Sequence, residues 1–160
     1  MTKAEFAELY DAHAPLVRSV LMRLAPPANL DDLTQETFLK AWRARDEFQG
    51  RAQAKTWLCR IARNAAIDAR RAMGERMSVG VEHLAHTQAP GMRPDDRALL
   101  EDLLARMEPD DRLLLLLVSV EQCTMQEIAE ILGVPAGTVK SRTFALRQRL
   151  REEMERKGAA

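Results

Sequence analysis

Apolar side chains recur at helical spacing along most of the chain, and prolines mark where that pattern is interrupted. The first such segment runs from Phe6 to Leu24 and is ended by Pro26-Pro27. Within it, Pro15 must either kink the helix or begin a new one, because proline removes a backbone donor and clashes with the preceding turn. The pattern therefore predicts a helical packing scaffold at the start of the chain.

Two further amphipathic helices are predicted over residues 33–45 and 55–73, with a loop around Gly50 between them. Either Asp31 or Asp32 caps the first of these helices. The apolar positions predicted to face inward are Leu33, Phe38, Ala41 and Trp42 on the first helix, and Leu58, Ile61, Ala62 and Ala65 on the second.

The helical pattern lapses over residues 77–93, which contain Pro90-Gly91 and read as a linker between two domains. It resumes at Asp95, and Pro109 restarts it. Residues 113–118 are apolar on every side, which predicts either the core of a second domain or a helix partly covered by a partner.

The stretch from residue 124 to residue 151 predicts two helices joined by a tight turn. Thr124 and Glu127 have capping-box spacing, Gly133 suits a left-handed turn position, and Pro135 suits the beginning of the next helix. The apolar positions of the second helix are Val139, Thr143, Leu146 and Leu150. Residues 134–151 contain five basic residues and no acidic one, so the stretch predicts a helix-turn-helix that binds duplex DNA, against the alternative of a helical hairpin with a solvated basic face.

The net charge of zero is a cancellation between segments. Residues 51–76 hold seven basic and two acidic residues, whereas residues 95–111 hold seven acidic and two basic ones. Two separated basic segments indicate two DNA-facing surfaces, and the acidic segment indicates a different kind of partner.

Little in the chain points to catalysis, cofactors or metals. Cys59 and Cys123 belong to no C-x-x-C pair and are expected to be buried, reduced thiols. His83 and His86 lie in the predicted linker without other ligand types nearby. We expect no metal and no cofactor. With no signal peptide and no apolar run near the roughly 20 residues that a spanning helix needs, we expect a cytoplasmic protein that does not insert into membranes.

Two blocks of the chain resemble one known family. The run D-L-T-Q-E-T-F-L-K-A-W, followed by W-L-C-R-I-A-R-N-A-A-I-D-A-R-R, resembles the first domain of the extracytoplasmic-function (group IV) sigma factors. The run I-A-E-I-L-G-V-P-A-G-T-V-K-S-R resembles their second domain. The blocks occur in the family order and at about the family separation. The expected fold is all-α, with two small helical domains (residues 1–76 and 95–160) joined by a flexible linker (residues 77–94).

The resemblance implies roles for three sets of residues. Core RNA polymerase would bind at or over Asp32, Gln35, Glu36 and Phe38. The opened −10 promoter element would be recognised by Trp57, Arg60, Arg63, Asn64, Asp68, Arg70 and Arg71, with Trp57 expected in the core rather than stacked on a base. The duplex −35 element would be read by Lys140, Ser141, Arg142, Phe144 and Arg147.

Two positions depart from the family pattern. Members often carry an aromatic residue just before T-W-L, where this chain has Gln53-Ala54-Lys55, so a base-stacking platform worth roughly 1–3 kcal/mol is missing or supplied elsewhere. Many members carry arginine directly after the position of Phe144, where this chain has Ala145, so one bidentate contact to guanine is unavailable.

The resemblance implies an alternative sigma factor that directs polymerase to promoters, is not itself an enzyme, and is held inactive by an anti-sigma factor. A stand-alone helix-turn-helix regulator, binding its operator as a dimer, is the alternative, although no clear dimerisation helix is evident. A hydrolase using Asp32 and Glu36 is a third hypothesis, and no nucleophile or metal motif supports it.

Overall fold

The structure, a computed structural model, describes residues 1–25, 29–48, 50, 53–74, 93–119 and 121–158. Within those ranges it contains seven helices and no strand, so the predicted all-α fold is confirmed. Pro26-Pro27, His83, His86 and all of the predicted linker except Arg93 and Pro94 lie outside the described residues. The helices are α1 (Lys3–Leu24), α2 (Leu30–Arg43), α3 (Ala54–Ala72), α4 (Pro94–Ala105), α5 (Pro109–Ser119), α6 (Met125–Leu132) and α7 (Ala136–Gly158).

The helix α1 runs through Pro15 without a break, so Pro15 does not begin a new helix. A capping box stabilises its start. The Thr2 hydroxyl oxygen accepts a hydrogen bond from the Glu5 backbone N–H at 3.2 Å, and the Glu5 carboxylate accepts one from the Thr2 backbone N–H at 2.6 Å. Its buried side chains lie towards its C-terminal end, where they pack into the core: Val17, Val20, Leu21 and Leu24. No helix in the described ranges combines the length and apolar character that crossing a membrane requires.

The prediction that Asp31 or Asp32 caps α2 is wrong. The helix begins at Leu30 after Asn29, and Asn29 makes no side-chain capping bond. Leu30 is buried, so burial of its side chain extends the helix ahead of the predicted cap. The two aspartates occupy the first turn instead, where the helix dipole favours negative charge.

The apolar helix α5 forms the centre of the second half of the chain, as its all-round apolar sequence predicts. Its buried leucines are Leu113, Leu114, Leu116 and Leu117. It packs against α6 and α7, and also against α1 from the first half of the chain. Part of its apolar surface is therefore covered from within the same molecule.

Buried side chains of α1, α2 and α3 and of α5, α6 and α7 form one continuous cluster. α3 packs on α1 and α2 on one side and on α6 on another, which joins the two halves directly. This arrangement decides which faces of α3 stay open to solvent.

Candidate nucleic-acid interface

The predicted −10 residues on α3 divide into two stripes. The first stripe consists of Arg60, Asn64, Asp68 and Arg71, which follow one another at intervals of four, four and three residues, and all four are exposed. Such spacing places them on one side of the helix. This stripe presents two guanidinium groups and one amide, which can bind phosphates and base edges, together with the Asp68 carboxylate.

The second stripe consists of Arg63, Ile67 and Arg70, which are half-buried and face the second half of the chain. The Arg63 guanidinium donates to both carboxylate oxygens of Asp110 on α5, from Nε to Oδ1 at 2.9 Å and from Nη2 to Oδ2 at 2.7 Å. A two-point arginine–carboxylate contact fixes direction as well as distance. One of the predicted DNA-binding arginines is therefore occupied by a carboxylate of the same chain.

A cleft of about 290 Å³ separates this second stripe from α5 and α7. Its lining residues are Leu24, Ile67, Arg70, Glu108, Pro109, Asp110 and Arg142. Close by, Arg112 is buried, and burial together with the positive charge of Arg70 lowers the pKa of its guanidinium. The cleft thus concentrates arginines around a few carboxylates.

Trp57 is buried and does not reach the surface as a stacking platform, in agreement with its expected place in the core. Its ring packs on that of Phe48, with centroids 4.8 Å apart. Phe48 is a half-buried aromatic in the loop ahead of α3 that the sequence reading did not single out. Phe48 lies further from T-W-L than the family aromatic does, and its ring contacts Trp57.

The predicted helix-turn-helix is present with its predicted details. The Thr124 hydroxyl oxygen accepts a hydrogen bond from the Glu127 backbone N–H, with 3.2 Å between N and O. The Glu127 carboxylate accepts one from the Thr124 backbone N–H at 2.7 Å. Gly133 ends α6 in the left-handed region at φ +68°. Val139, Thr143 and Leu146 are buried and seat α7 on the core.

The outer side of α7 carries most of the predicted −35 residues. The exposed members are Lys140, Ser141, Phe144 and Arg147, and Ala145 lies among them. The Phe144 ring is 71% exposed, the highest exposure among the large apolar side chains that the structure describes, so it is free to contact a partner. Arg142 differs, because its guanidinium is half-buried and donates to Asp111 on α5 at 2.5 Å.

A separate acidic surface lies on α2. Its exposed polar side chains are Asp32, Gln35 and Glu36. Leu39 lies on the same side of the helix, and its side chain is 47% exposed. Phe38 is buried beside them, where it helps to line an open apolar groove with Tyr10 and Trp42. The structure thus adds Leu39 to this surface and puts Phe38 beneath it. The sequence alone does not reveal that Leu39 is exposed, because this becomes clear only when the orientation of α2 in the fold is known.

The acidic surface of α2 is tied to the first stripe of α3 through Lys40. Its ammonium group lies 2.9 Å from the Glu36 carboxylate and 3.5 Å from that of Asp68. These carboxylates, with Glu36 the stronger influence, raise the pKa of Lys40. The predicted role of Asp68 in DNA contact is therefore accompanied by a link between two helices.

Cys59 and Cys123 are both buried where α3 meets the region ahead of α6. Burial raises the pKa of the Cys59 thiol to about 12, and Cys123 and Glu121 act in the same direction. Burial likewise raises the pKa of Cys123. Across the described ranges, no cluster of three or more His, Cys, Asp or Glu side chains is arranged to hold a metal ion.

The chain matches two family models, in the order of the two blocks described above. Sigma-70 region 2 matches residues 9–75, and Sigma-70, region 4 matches residues 97–150. The first match contains α2, α3 and most of α1, and the second contains α5, α6 and the surface-bearing part of α7.

Two curated relatives span most of the chain. The ECF RNA polymerase sigma factor SigL of Mycobacterium tuberculosis is 35% identical over 156 residues, covering 90% of this chain and 88% of that protein. The ECF RNA polymerase sigma-E factor of Escherichia coli is 30% identical over 154 residues, covering 87% and 81%.

Solved structures show the same fold. The sigma factor RpoE in complex with the anti-sigma factor NepR from Bartonella quintana superposes with a TM-score of 0.72 at 25% identity, covering 94% of this chain and 97% of that one. CnrH in complex with the cytosolic domain of CnrY also gives 0.72, at 22% identity and 96% and 90% coverage.

Proposed function

The chain belongs to the ECF RNA polymerase sigma factors, and we propose that its acidic α2 surface binds core polymerase while α3 and α7 engage two promoter elements. It is a transcription initiation factor that acts with core RNA polymerase on promoter DNA. Because the chain carries a region 2 domain as well as a helix-turn-helix, a stand-alone regulator is disfavoured. We assign the chain no catalytic activity of its own, and we propose that it acts in the cytoplasm.

The polymerase-binding surface in this proposal consists of Asp32, Gln35, Glu36 and Leu39 on α2. On this exposed side, the leucine supplies a small apolar contact, and three polar side chains, two of them acidic, lie around it. Interfaces commonly combine an apolar centre with polar groups that set orientation. Phe38 supports this surface from beneath, where it lines the groove with Tyr10 and Trp42.

The −10 surface in this proposal is the exposed stripe of α3. Arg60 and Arg71 would contact phosphates, and Asn64 lies between them with both a donor and an acceptor for a base edge. We assign Arg63 and Arg70 to the same −10 function, although they lie on the half-buried second stripe. Trp57 holds the helix in place from the core and does not contact a base.

The −35 surface in this proposal is the outer side of α7. Lys140 and Arg147 supply positive charge, while Ser141 and Phe144 supply a hydroxyl and an apolar contact. An exposed ring can pack on a thymine methyl group in the major groove. The Ala145 side chain offers no hydrogen bond to a base, so specificity at the base pair that it faces would come from neighbouring side chains of α7.

We further propose regulation by an anti-sigma factor. The solved structures with the same fold include RpoE bound to NepR and CnrH bound to the cytosolic domain of CnrY. A protein with exposed polymerase- and DNA-binding surfaces would need such a partner to stay inactive until it is required.

The observation that carries the proposal is that an acidic, leucine-bearing surface lies on α2, whereas the exposed basic side chains lie on α3 and α7. It is tested by titrating core polymerase into fluorescently labelled protein. Glu36→Lys should weaken binding by about tenfold or more, as expected for a charge reversal in an interface. The matched control is Glu155→Lys, the same charge change at an exposed position near the end of α7.

Equal affinity of Glu36→Lys and wild type would refute the polymerase-binding role of this surface. The DNA surface is tested separately with the double variant Lys140→Ala/Arg147→Ala, by measuring binding of holoenzyme to duplex −35 DNA against salt concentration. Loss of two phosphate contacts should reduce the slope of log K against log salt by about 1.8. An unchanged slope would show that neither side chain contacts phosphate.

A further inference from the structure

Lys40 lies where the acidic surface of α2 meets the first stripe of α3. Its ammonium nitrogen is 2.9 Å from Oε1 of Glu36, one turn earlier on α2, and 3.5 Å from Oδ2 of Asp68 on α3. The first contact stays within one helix, whereas the second joins two helices that pack against each other. An ammonium group has three donors, so it can serve both carboxylates. One cation is therefore shared between the proposed polymerase-binding surface and the proposed −10 surface.

Asp68 is the acidic member of the first stripe, and its charge opposes the proposed role of that stripe. An ionised carboxylate among groups that bind phosphates repels the strand, since like charges at short range disfavour each other. Arg60 and Arg71 bring two positive charges to the stripe and Asp68 brings one negative charge. Lys40 adds the positive charge that cancels Asp68. The stripe is therefore fully basic only when Lys40 is paired with Asp68.

Glu36 competes with Asp68 for the same ammonium group. The Glu36 oxygen is the closer of the two, and its position four residues before Lys40 is the favourable order for an ion pair within a helix. Two carboxylates and one ammonium leave this cluster with a net negative charge, so Lys40 neutralises Asp68 only in part. A cationic group of a partner that paired with Glu36 would leave Lys40 to Asp68 alone.

We propose that Lys40 is a positioning residue that neutralises Asp68 for binding of the −10 strand, and that polymerase completes this neutralisation by engaging Glu36. Asp68 then acts through Lys40 and does not contact a base. The proposal rests on the proposed function, because it takes α2 as the polymerase-binding surface and α3 as the −10 surface. Such coupling is reciprocal, so opened promoter DNA strengthens the polymerase contact by the same factor.

The size of the effect is limited by the exposure of the pair. The side chains of Lys40 and Asp68 are 38% and 63% exposed. Ion pairs between exposed side chains are weak, and salt screens them. Removing the charge of Lys40 should therefore weaken DNA binding by about two- to fivefold at low salt, and by less as the salt concentration rises.

The experiment is a double-mutant cycle on Lys40 and Asp68 in the holoenzyme. Its probe is a fluorescent oligonucleotide whose single-stranded part carries the −10 element of the promoter upstream of the protein's own gene. Binding is measured at low salt with saturating core polymerase for Lys40→Met, Asp68→Asn and the double variant. Lys40→Met should weaken binding by about two- to fivefold beside Asp68 and leave it unchanged beside Asp68→Asn. Asp68→Asn alone should bind at least as tightly as wild type.

Lys157→Met is the matched control, because the Lys157 ammonium also pairs with a carboxylate of another helix. It lies 3.3 Å from Asp102 of α4, and its side chain is 45% exposed. This variant should bind the oligonucleotide as wild type does. Lys40→Arg, which keeps the positive charge, should also retain wild-type binding, whereas a loss of packing at this position would not be repaired by charge alone.

Three results would overturn the proposal. Lys40→Met could bind the oligonucleotide as tightly as wild type. It could weaken binding equally beside Asp68 and beside Asp68→Asn, which would mean that Lys40 contacts a phosphate directly. Asp68→Asn alone could weaken binding severalfold, which would mean that the Asp68 carboxylate contacts a base.

The polymerase step has its own readout. The affinity of core polymerase for the labelled chain is measured with and without saturating oligonucleotide. The oligonucleotide should tighten polymerase binding about twofold more for wild type than for Lys40→Met, since part of the ion pair already exists in the free chain. An equal factor for both proteins would refute the coupling through Lys40. Failure of Glu36→Lys to weaken polymerase binding would instead count against the proposed function.

Discussion

Gly133, in the turn of the helix-turn-helix, should not tolerate alanine without a loss of stability. Its φ of +68° lies in the left-handed region, and a Cβ built there meets no atom of a residue beyond its chain neighbours within 4 Å. The cost of Gly133→Ala therefore comes from its own backbone conformation and not from a clash with residues packed around it. Left-handed backbone costs an L-residue about 1–2 kcal/mol. The smaller entropy of the unfolded alanine chain offsets about 0.4–1 kcal/mol of that. A net loss of about 1 kcal/mol follows.

Gly137 is the matched control, because it lies four residues later and its added Cβ would also meet open space. It sits within the first turn of α7, where alanine is the better helix former. Gly137→Ala should therefore raise the free energy of unfolding by about 0.5–1 kcal/mol.

Urea unfolding of wild type and the two variants, followed by circular dichroism, measures the loss of stability in one variant and the gain in the other. With a typical m value near 2 kcal/mol/M, the midpoint should fall by about 0.5 M for Gly133→Ala and rise by about 0.3 M for Gly137→Ala. The reasoning would be refuted if Gly133→Ala were as stable as wild type, or if both variants lost stability equally.

Three other predictions follow from single features. Thr124→Ala should lower the free energy of unfolding by about 1 kcal/mol in urea unfolding, because it removes half of the capping box with Glu127; an unchanged midpoint would contradict this. Because the folded pKa of Cys59 is raised from 9.0 to about 12, the unfolded chain loses that proton first. Stability should therefore fall as pH rises above about 9, by at most about 1.4 kcal/mol per pH unit from this thiol, and Cys59→Ala should show a shallower fall in urea unfolding between pH 8 and 10; parallel pH profiles would refute the assignment. Leu39→Lys should weaken polymerase binding while leaving the free energy of unfolding, measured in urea, within about 0.5 kcal/mol of wild type, since the side chain is half-exposed; a large loss of stability would mean that Leu39 belongs to the core.

Features that depend on local sequence were predictable. The helix-turn-helix was predicted down to its capping box, its left-handed glycine and its buried Val139, Thr143 and Leu146, because each signal spans only a few residues. The apolar α5 was likewise predicted as a core helix. The two-domain assignment to the sigma factors is confirmed by the family matches to both blocks.

Features that depend on distant packing were not predictable. The start of α2 was misplaced because burial of Leu30, and not the aspartate caps, decides it. The α3 residues that resembled one DNA-binding set lie on two stripes, and the stripe of Arg63, Ile67 and Arg70 faces α5 and α7 of the second half of the chain. Helical periodicity locates a buried side without identifying what buries it.

The partners of individual arginines depend on the same distant packing. Arg63 and Arg142 read from sequence as two members of basic surfaces, yet each is paired with a carboxylate of α5. The acidic segment that holds Asp110 and Asp111 was assigned to a separate partner on charge alone. Its contact with α3 makes the first domain one of its partners.

The most direct measurement is run-off transcription with purified core RNA polymerase and the full chain, on a template containing the promoter upstream of the protein's own gene. Wild type should give specific initiation. Gln35→Ala/Glu36→Lys should abolish it through failed polymerase binding, and Lys140→Ala/Arg147→Ala should abolish it with polymerase binding intact. Wild-type protein that fails to bind core polymerase at all would contradict the assignment of this chain as a working sigma factor.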